Sequence, residues 1–304
     1  MTLLQMYYAI VTSETGSMNK AAEKLYISQP TLTSAIKELE SETGITIFTR
    51  SNRGVSLTKE GDEFLKHAKQ IYLQYEMLKE KFGPTGTIKK LFSVSCQHYS
   101  FATKAFVETV KKYESDKYEL AILETRTMNV IDDVGSSKSD VGILYLSENN
   151  RKQILKLIEE NDCVFHPIVS CDAYVYLYKN HPLANQESIS FSQLKSYPCL
   201  SFDQGEYDRS YLAEEILSEN TYSQIIKLND RSTALNLMIG LNGYMLCSGI
   251  ICEELNGSDF VVIPYKEDKE NPNSKMEIGY ITKKHGVLSN IAQTYIQEVY
   301  RYFE

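Results

Sequence analysis

Between residues 3 and 13, apolar side chains stand at Leu3, Leu4, Met6, Tyr7, Ala9, Ile10 and Val11, a density that predicts a mostly buried helix ended by Gly16. Ser17 then offers an N-cap for a short helix over 18–25, in which the small pair Ala21 and Ala22 lets a second helix cross closely. Tyr26 and Ile27 make a turn. Ser28 caps the next helix, and Pro30 falls in its first turn, where a missing N–H costs little. Leu32, Ala35, Ile36 and Leu39 face inward until Gly44 stops the helix after Thr43. Two short helices joined by a tight turn form a helix-turn-helix, whose second helix presents its leading residues to the major groove of a duplex. Residues 45–50 and 55–57, on either side of Ser51-Asn52-Arg53-Gly54, predict a two-stranded wing.

Thr58 can cap a long helix over 59–82, with Asp62 and Glu63 placed to favour its dipole. Along it, Phe64, Ala68, Ile71, Tyr75, Leu78 and Phe82 recur at alternating spacings of 4 and 3. That seam fits a partner helix in a dimeric coil better than packing on its own domain, because the other faces are polar. Gly83-Pro84-Thr85-Gly86-Thr87 then breaks the pattern. Strand-like and helical runs alternate at 91–95, 102–113, 118–124, 130–136 and 141–146, an order that implies a parallel sheet. Runs at 174–178, 194–202, 209–217, 224–228, 234–239, 244–247 and 261–263 suggest a second α/β unit. A returning strand at 276–282 and a closing helix at 289–302 complete the chain.

The 304 residues allow about two domains. The formal charge is −8, yet the segment through Phe82 carries ten basic and ten acidic residues, so the acidity belongs to the C-terminal part. This excludes a uniformly basic nucleic-acid coat but not a DNA-binding module on an acidic chain. No apolar run approaches the ~18 residues of a membrane span. The opening residues lack a basic stretch and include Glu14, so they do not read as a signal peptide, and a cytoplasmic protein without a membrane partner is expected. Six cysteines without a Cys-x-x-Cys pair read as reduced thiols, with no metal site. No nucleophile elbow, phosphate loop, zinc-protease or dinucleotide motif occurs, so neither an enzyme nor a cofactor is expected.

In the second helix of the pair, Gln29 can bond adenine, Thr31 and Thr33 can meet base edges or a thymine methyl, and Ser34 can reach a phosphate. Arg50 and Arg53 give the wing its positive charge, and Gly54 permits its turn or a close backbone approach. Spacing alone is equally compatible with a three-helix bundle carrying an idle hairpin. In the C-terminal part, ligands of open α/β sheets bind beyond the carboxyl ends of strands. Those ends offer Ser95, Cys96, Gln97 and His98, then Thr125, Arg126 and Thr127, then Ser201, Phe202 and Asp203, then Asp230, Arg231 and Ser232. Hydroxyls with helix N-terminal amides make an anion site. Arg126 can hold a carboxylate in a bidentate fork, or pair with a nearby acid such as Glu124. His98 can equally be a ligand contact or a hydrogen-bonded loop residue. A small anionic or zwitterionic metabolite is the expected ligand.

Five blocks now carry a resemblance: Ala21-Ala22-Glu23-Lys24-Leu25, Ser28-Gln29-Pro30-Thr31-Leu32-Thr33, Ile36-Lys37-Glu38-Leu39-Glu40, Gly44-Ile45-Thr46-Ile47-Phe48-Thr49-Arg50 and Leu57-Thr58-Lys59-Glu60-Gly61. In this order they resemble the N-terminal domain of LysR-type transcriptional regulators. The resemblance implies a Ser28-Gln29-Pro30 helix in the major groove, base or backbone roles for Thr31, Thr33 and Ser34, and a backbone grip by Arg50 and Arg53. Ser34 stands where many members have Arg or Lys. Asp140-Val141-Gly142-Ile143, His181-Pro182-Leu183-Ala184 and, more loosely, Gly240 and Gly243 extend the likeness. The implied architecture is a winged helix-turn-helix over 1–58, a linker and dimerisation helix over 59–83, and an effector-binding domain over 88–304. That last domain would have two α/β subdomains, 88–146 plus 276–304 and 165–270, around a cleft, as in periplasmic binding proteins. The implied function is a bacterial DNA-binding regulator working as a homodimer or homotetramer, with double-stranded DNA, a small-molecule effector and RNA polymerase as partners. An alternative within the family is redox sensing through a cysteine pair, Cys163 with Cys171 or Cys247 with Cys252.

Overall fold

The computed structural model describes residues 1–51, 54–82, 90–113, 118–205, 209–267 and 271–304; the side chains of 50, 51, 77, 80–82, 90 and 91 are likewise not described. The expectations for Arg53, for the side chains of Arg50 and Phe82, and for the break at 83–87 lie outside the described residues. The chain divides into two units, Met1–Ile88 and Lys89–Glu304.

In the first unit, α1 (Leu3–Thr15) starts at a capping box between Thr2 and Gln5 and ends where Gly16 turns left-handed at φ 61°. Helix α2 (Met18–Lys24) is capped by Ser17, and α3 (Gln29–Thr43) by Ser28, whose hydroxyl accepts the Thr31 N–H at 3.3 Å. Leu32, Ile36 and Leu39 of α3 are fully buried against Met6, Ala9, Ala21 and Ala22, so α3 is fixed by one face and shows the other to solvent. The wing pairs β1 (Phe48–Ser51) with β2 (Gly54–Leu57), with Ser51 opposite Gly54. The Glu40 carboxylate accepts the N–H groups of Ile47 and Phe48 at 2.7 and 3.1 Å and ties α3 to the wing. The Val55 N–H bonds the Gly16 carbonyl at 2.9 Å. A Cβ at Gly54 would lie 2.6 Å from that carbonyl oxygen, so Gly54 serves the close approach as well as the turn.

Helix α4 (Lys59–Phe82) begins where the Thr58 hydroxyl accepts the Gly61 N–H at 2.8 Å. Its expected seam divides. Ala68 is buried and Phe64 half-buried within the unit, and Tyr72 stacks on Tyr7 at 4.7 Å, whereas Ile71 and Leu78 are 46% and 61% exposed. The first half of α4 therefore packs on α1, and the outward stripe is narrower than the full heptad pattern.

In the second unit, β3 (Lys90–Cys96), α5 (Ser100–Lys112), β4 (Tyr118–Glu124), α6 (Thr127–Gly135) and β5 (Val141–Leu146) alternate, and β3 pairs in parallel with both β4 and β5. Then come α7 (Arg151–Glu160), β6 (Cys163–Asp172), β7 (Tyr174–Tyr178), α8 (Phe191–Leu194), β8 (Cys199–Phe202), β9 (Ile225–Leu228), α9 (Arg231–Leu241), β10 (Met245–Cys247), α10 (Glu253–Asn256), β11 (Phe260–Pro264), β12 (Lys275–Lys283) and α11 (Asn290–Arg301). The first lobe is a five-stranded sheet in the order β4-β3-β5-β12-β6. The second has an antiparallel sheet, β10-β7-β11, and a parallel pair, β8-β9, linked by a bridge from Cys199 to Tyr244.

Three expectations are corrected. The sequence pattern predicts no element over 147–173, yet α7 and β6 stand there. Pro167 obscures the strand, but β6 is an edge strand, and a register shift opposite Ile278 and Gly279 absorbs it. Because β6 pairs with β12, the boundary expected at 165 falls after Asp172, and residues 165–172 belong to the first lobe. The run at 209–217 forms only a 3-10 turn at Ser210–Leu212. Leu212 packs among Val130, Ile131 and Ile154, so a segment rooted in the second lobe is held in the core of the first.

Gly61 carries the tightest approach in the first unit: a Cβ there would sit 2.1 Å from the Ile47 carbonyl oxygen. Gly61→Ala should cost about 1–3 kcal/mol, because backbone must move to admit it. Urea unfolding of the full chain should show a lower midpoint than for Gly240→Ala, where a Cβ has nothing within 4 Å; equal midpoints would contradict the packing described.

Candidate functional site

On the first unit, Ser28, Gln29, Pro30, Thr31 and Ser34 are exposed together at the leading end of α3, with Thr33 half-buried beside them. The fold explains this. Ser28 and Thr31 share a 2.7 Å hydroxyl contact that orders the first turn, and the Gln29 amide donates to the Thr33 hydroxyl at 3.0 Å, laying Gln29 along the helix. A helix start also leaves backbone N–H groups without intrahelical partners, which suits phosphate contact. Tyr26, a turn residue by its sequence position, is 96% exposed with a left-handed φ of 56°. Its position two residues before the cap was the available signal.

On the second unit, a cavity of about 80 Å³ lies between the lobes. His98, Tyr99 and Ser100 at the end of β3 form one wall, and Tyr176, Phe202, Arg231 and Leu235 form the other, with Glu214 and Glu215 at its side. Of the thirteen strand-end residues expected, His98, Phe202 and Arg231 line it, and the rings of His98 and Phe202 stack at 3.7 Å. The rest hold the walls. The Ser95 hydroxyl donates to Asp133 at 2.7 Å, and Cys96 is buried in the core. Gln97 donates to the Thr127 hydroxyl at 2.6 Å and accepts from the Tyr145 N–H at 3.2 Å. Thr127 donates to the Leu212 carbonyl at 2.7 Å, and the Thr125 N–H reaches the Cys96 carbonyl at 2.8 Å. Ser201 donates to Glu215 at 2.8 Å, and Ser232 is exposed at the start of α9.

Arg126 does not pair with Glu124. Its guanidinium reaches the Asp203 carboxylate at 2.6 Å and the Asp203 carbonyl at 3.0 Å, lying over Gly205, where a Cβ would be 2.4 Å away. The carboxylate fork expected for a ligand is thus filled by Asp203. Glu124 instead takes Arg231 in a two-point contact, with Nε at 3.0 Å. The third pair is buried: His98 Nδ1 and the His98 N–H both meet Glu214 Oε2, at 2.8 and 2.9 Å. Tyr145 adds a hydroxyl bond to the carbonyls of Ala213 and Glu215. All these contacts cross between the lobes.

Burial alone would lower the His98 imidazole, but the Glu214 hydrogen bond and surrounding carboxylates outweigh it and hold it above its ordinary value. Glu215, fully enclosed and next to the Glu214 charge, is pushed up to about 7 despite its bonds from Ser201 and the Phe202 N–H. The Tyr176 hydroxyl is buried, and the Asn256 side chain acts on it as a hydrogen-bond partner at longer than ordinary distance. The alternation of Tyr174, Tyr176 and Tyr178 was the signal for this residue, since period two puts all three on one face of β7.

The cysteine pairs of the redox alternative are not bonded: Cys163, Cys171, Cys247 and Cys252 are all free thiols, as the reduced reading expects. Cys163 and Cys171 are both on β6, eight residues apart, which is roughly 25 Å along a strand and far beyond disulfide reach. Burial pushes the thiols of Cys163 up to about 11 and of Cys171, Cys199 and Cys247 up to about 12, and raises that of Cys96 as well, the opposite of an activated thiolate. Among the described residues no helix is long and apolar enough to cross a membrane.

A helix-turn-helix with a wing, followed by a two-lobed α/β unit with a cavity between its lobes, is the architecture of a DNA-binding protein with a ligand-binding type of domain. Two family models give the class its name: the bacterial regulatory helix-turn-helix of the lysR family matches residues 3–62, and the LysR substrate binding domain matches 100–304. The chain belongs to the LysR family of DNA-binding transcriptional regulators, which carry an effector-binding domain; it is a family of regulators, not of enzymes. It is similar to the uncharacterized HTH-type transcriptional regulator YbhD of Escherichia coli, 25% identical over 96% of this chain and 89% of that one. The HTH-type transcriptional activator CmpR of Synechocystis is 24% identical over 100% and 96%. Among solved structures, a full-length OxyR variant from Pseudomonas aeruginosa superposes with a TM-score of 0.67 at 19% identity, covering 99% of this chain and 94% of that one. CbnR bound to its target DNA gives 0.55 at 16% identity, covering 99% and 100%. These structures share the fold.

The raised acid in the cavity wall has a consequence for stability. Unfolded Glu215 titrates near the ordinary 4.5 and folded Glu215 near 7, so its contribution is present below 4.5 and is lost as pH rises through 7. The loss is on the order of 3 kcal/mol. His98 acts in the same sense, present below 6.5 and lost as pH rises through its folded value. Melting temperature should fall between pH 5 and 8. Glu215→Gln should flatten that fall and melt higher at pH 8; an unchanged slope in the variant would contradict the assignment.

Proposed function

We propose that the chain binds a specific operator as a dimer through the leading face of α3 and the wing, and that a small molecule in the inter-lobe cavity sets how well it does so. The observation that carries the DNA half is the cluster Ser28, Gln29, Thr31 and Ser34, which the core-facing side of α3 leaves exposed at one helix end. Gln29 reads a base edge, Thr31 and Thr33 contact bases or sugar, Ser28 and Ser34 contact phosphate, and Pro30 shapes the first turn. Arg50 and Arg53, assigned from sequence, grip the backbone beside Gly54. Ser34 in place of a longer cation leaves base reading concentrated on Gln29. The exposed stripe of Ile71 and Leu78 on α4 supports dimerisation, since covering a leucine is worth about 1.5–3 kcal/mol. Two modules on two half-sites then add their binding.

The effector half rests on differential affinity: a ligand that favours one arrangement of the lobes shifts the population of that arrangement, and nothing else couples it to DNA.

Gel shifts with DNA upstream of the chain's own gene test this. Wild type should bind with a steep salt dependence. Gln29→Ala should lose roughly tenfold to a hundredfold on the operator and little on random DNA. Arg50→Ala should weaken both and reduce the salt slope by about one. Leu78→Glu should halve the mass in sedimentation and weaken operator binding. If Gln29→Ala and Arg50→Ala both bind like wild type, the interface is misassigned.

A further inference from the structure

The turn between α2 and α3 holds a side chain that the fold itself does not use. Tyr26 has a left-handed φ of 56°, a region that glycine or asparagine enters readily and a bulky aromatic enters only with strain. Residues held in such regions cluster at binding sites. At 96%, Tyr26 is also the most exposed large hydrophobic side chain among the described residues. Within them its ring and hydroxyl make no hydrogen bond or ring contact. Nothing inside the molecule therefore offsets the strained backbone.

The neighbouring residues show where the side chain stands. Ile27 turns inward and packs against the core that fixes α3, while Tyr26 and Ser28 on either side of it are exposed. Ser28 caps α3 and opens the exposed row Ser28, Gln29, Pro30 and Thr31, which the DNA-binding reading above assigns to the groove. Two backbone bonds hold the turn: the Tyr26 N–H reaches the Glu23 carbonyl at 3.1 Å, and the Ile27 N–H reaches the Ala22 carbonyl at 3.0 Å. The phenol is thus carried on a fixed backbone beside the leading end of α3. A duplex that receives this end in its major groove brings a phosphate strand alongside the turn before it. Tyrosine suits that strand, because its hydroxyl can donate to a phosphate oxygen while its ring covers the adjoining sugar.

We propose that Tyr26 is a further DNA contact, a positioning residue that clasps the sugar-phosphate backbone at the edge of the groove entered by α3. The proposal rests on the DNA-binding reading above and adds to it a contact outside both α3 and the wing. The contact is uncharged and reads no base edge, so it strengthens binding to any sequence without releasing a counterion.

Two substitutions in the full-length chain test it, by thermal melting and by gel shifts with the upstream DNA and with a duplex of scrambled sequence. Asparagine suits the left-handed turn, and its amide ends well short of the phenol hydroxyl. Tyr26→Asn should therefore melt as high as wild type or higher, yet bind both duplexes about five- to tenfold more weakly. Tyr26→Phe keeps the ring and should weaken both about threefold. In both variants the salt dependence should keep its wild-type slope, since no charge is lost. Tyr26→Asn that binds both duplexes like wild type overturns the proposal. So does a loss confined to the upstream DNA, which would make Tyr26 a base reader, or a lower melting temperature in step with weaker binding, which would make it a prop of the turn. Tyr26→Phe equal to wild type removes the phosphate bond and with it the clasp. Wild-type protein that binds neither duplex defeats the DNA-binding reading beneath, whereas normal wild-type binding with unaffected variants defeats the Tyr26 contact alone.

Discussion

The cleft of the larger unit is governed by where its cations find their counter-charges. His98, Arg126 and Arg231 each reach across the lobes to a carboxylate of the opposite lobe or of the segment between β8 and β9. The His98–Glu214 pair is buried, so removing one partner would strand a charge at a cost of about 3–5 kcal/mol. The two arginine pairs are a quarter to two-fifths exposed and contribute less, on the order of 1 kcal/mol each. The segment from Asp203 to Glu215 thus does three things at once. It joins the lobes, supplies Asp203, Glu214 and Glu215 to the cleft and places Leu212 in the first lobe's core.

The smaller unit depends on close backbone contact instead. The Gly16 carbonyl receives the wing, Gly54 and Gly61 leave room for neighbouring carbonyls, and Glu40 braces the wing against α3. With so many fixed points, the exposed end of α3 is presented as a rigid edge. A rigid edge loses little entropy on docking, which is what base reading by a few short side chains requires.

Much of this was legible in the sequence. Ser17, Ser28, Gly16 and Gly44 mark helix ends by local chemistry, and α3, α4, β4, β5 and β7 stand where their periodicity put them. The family resemblance was carried by residues that perform these local tasks. What stayed hidden was non-local. Nothing within 209–217 reveals that it would cross lobes, and β6 is disguised by Pro167 at a sheet edge. Nor can spacing decide that Arg126 prefers Asp203, seventy-seven residues on, over nearby Glu124. Ligands gather at strand ends, but Ser95, Gln97, Thr127 and Ser201 turn inward to bond the fold. The cavity's own markers, Tyr176 and Glu215, needed three-dimensional neighbours to become visible.

These features converge on one claim: the cations of the cleft are answered by the chain's own carboxylates. The imidazole of His98 reports on it directly. In full-length protein carrying ¹³C-labelled histidine, with His98→Gln to assign the signal among five histidines, the His98 titration should have its midpoint above the ordinary imidazole value, and Glu214→Gln should bring it down. A wild-type midpoint at or below that value, unmoved by Glu214→Gln, would contradict the account.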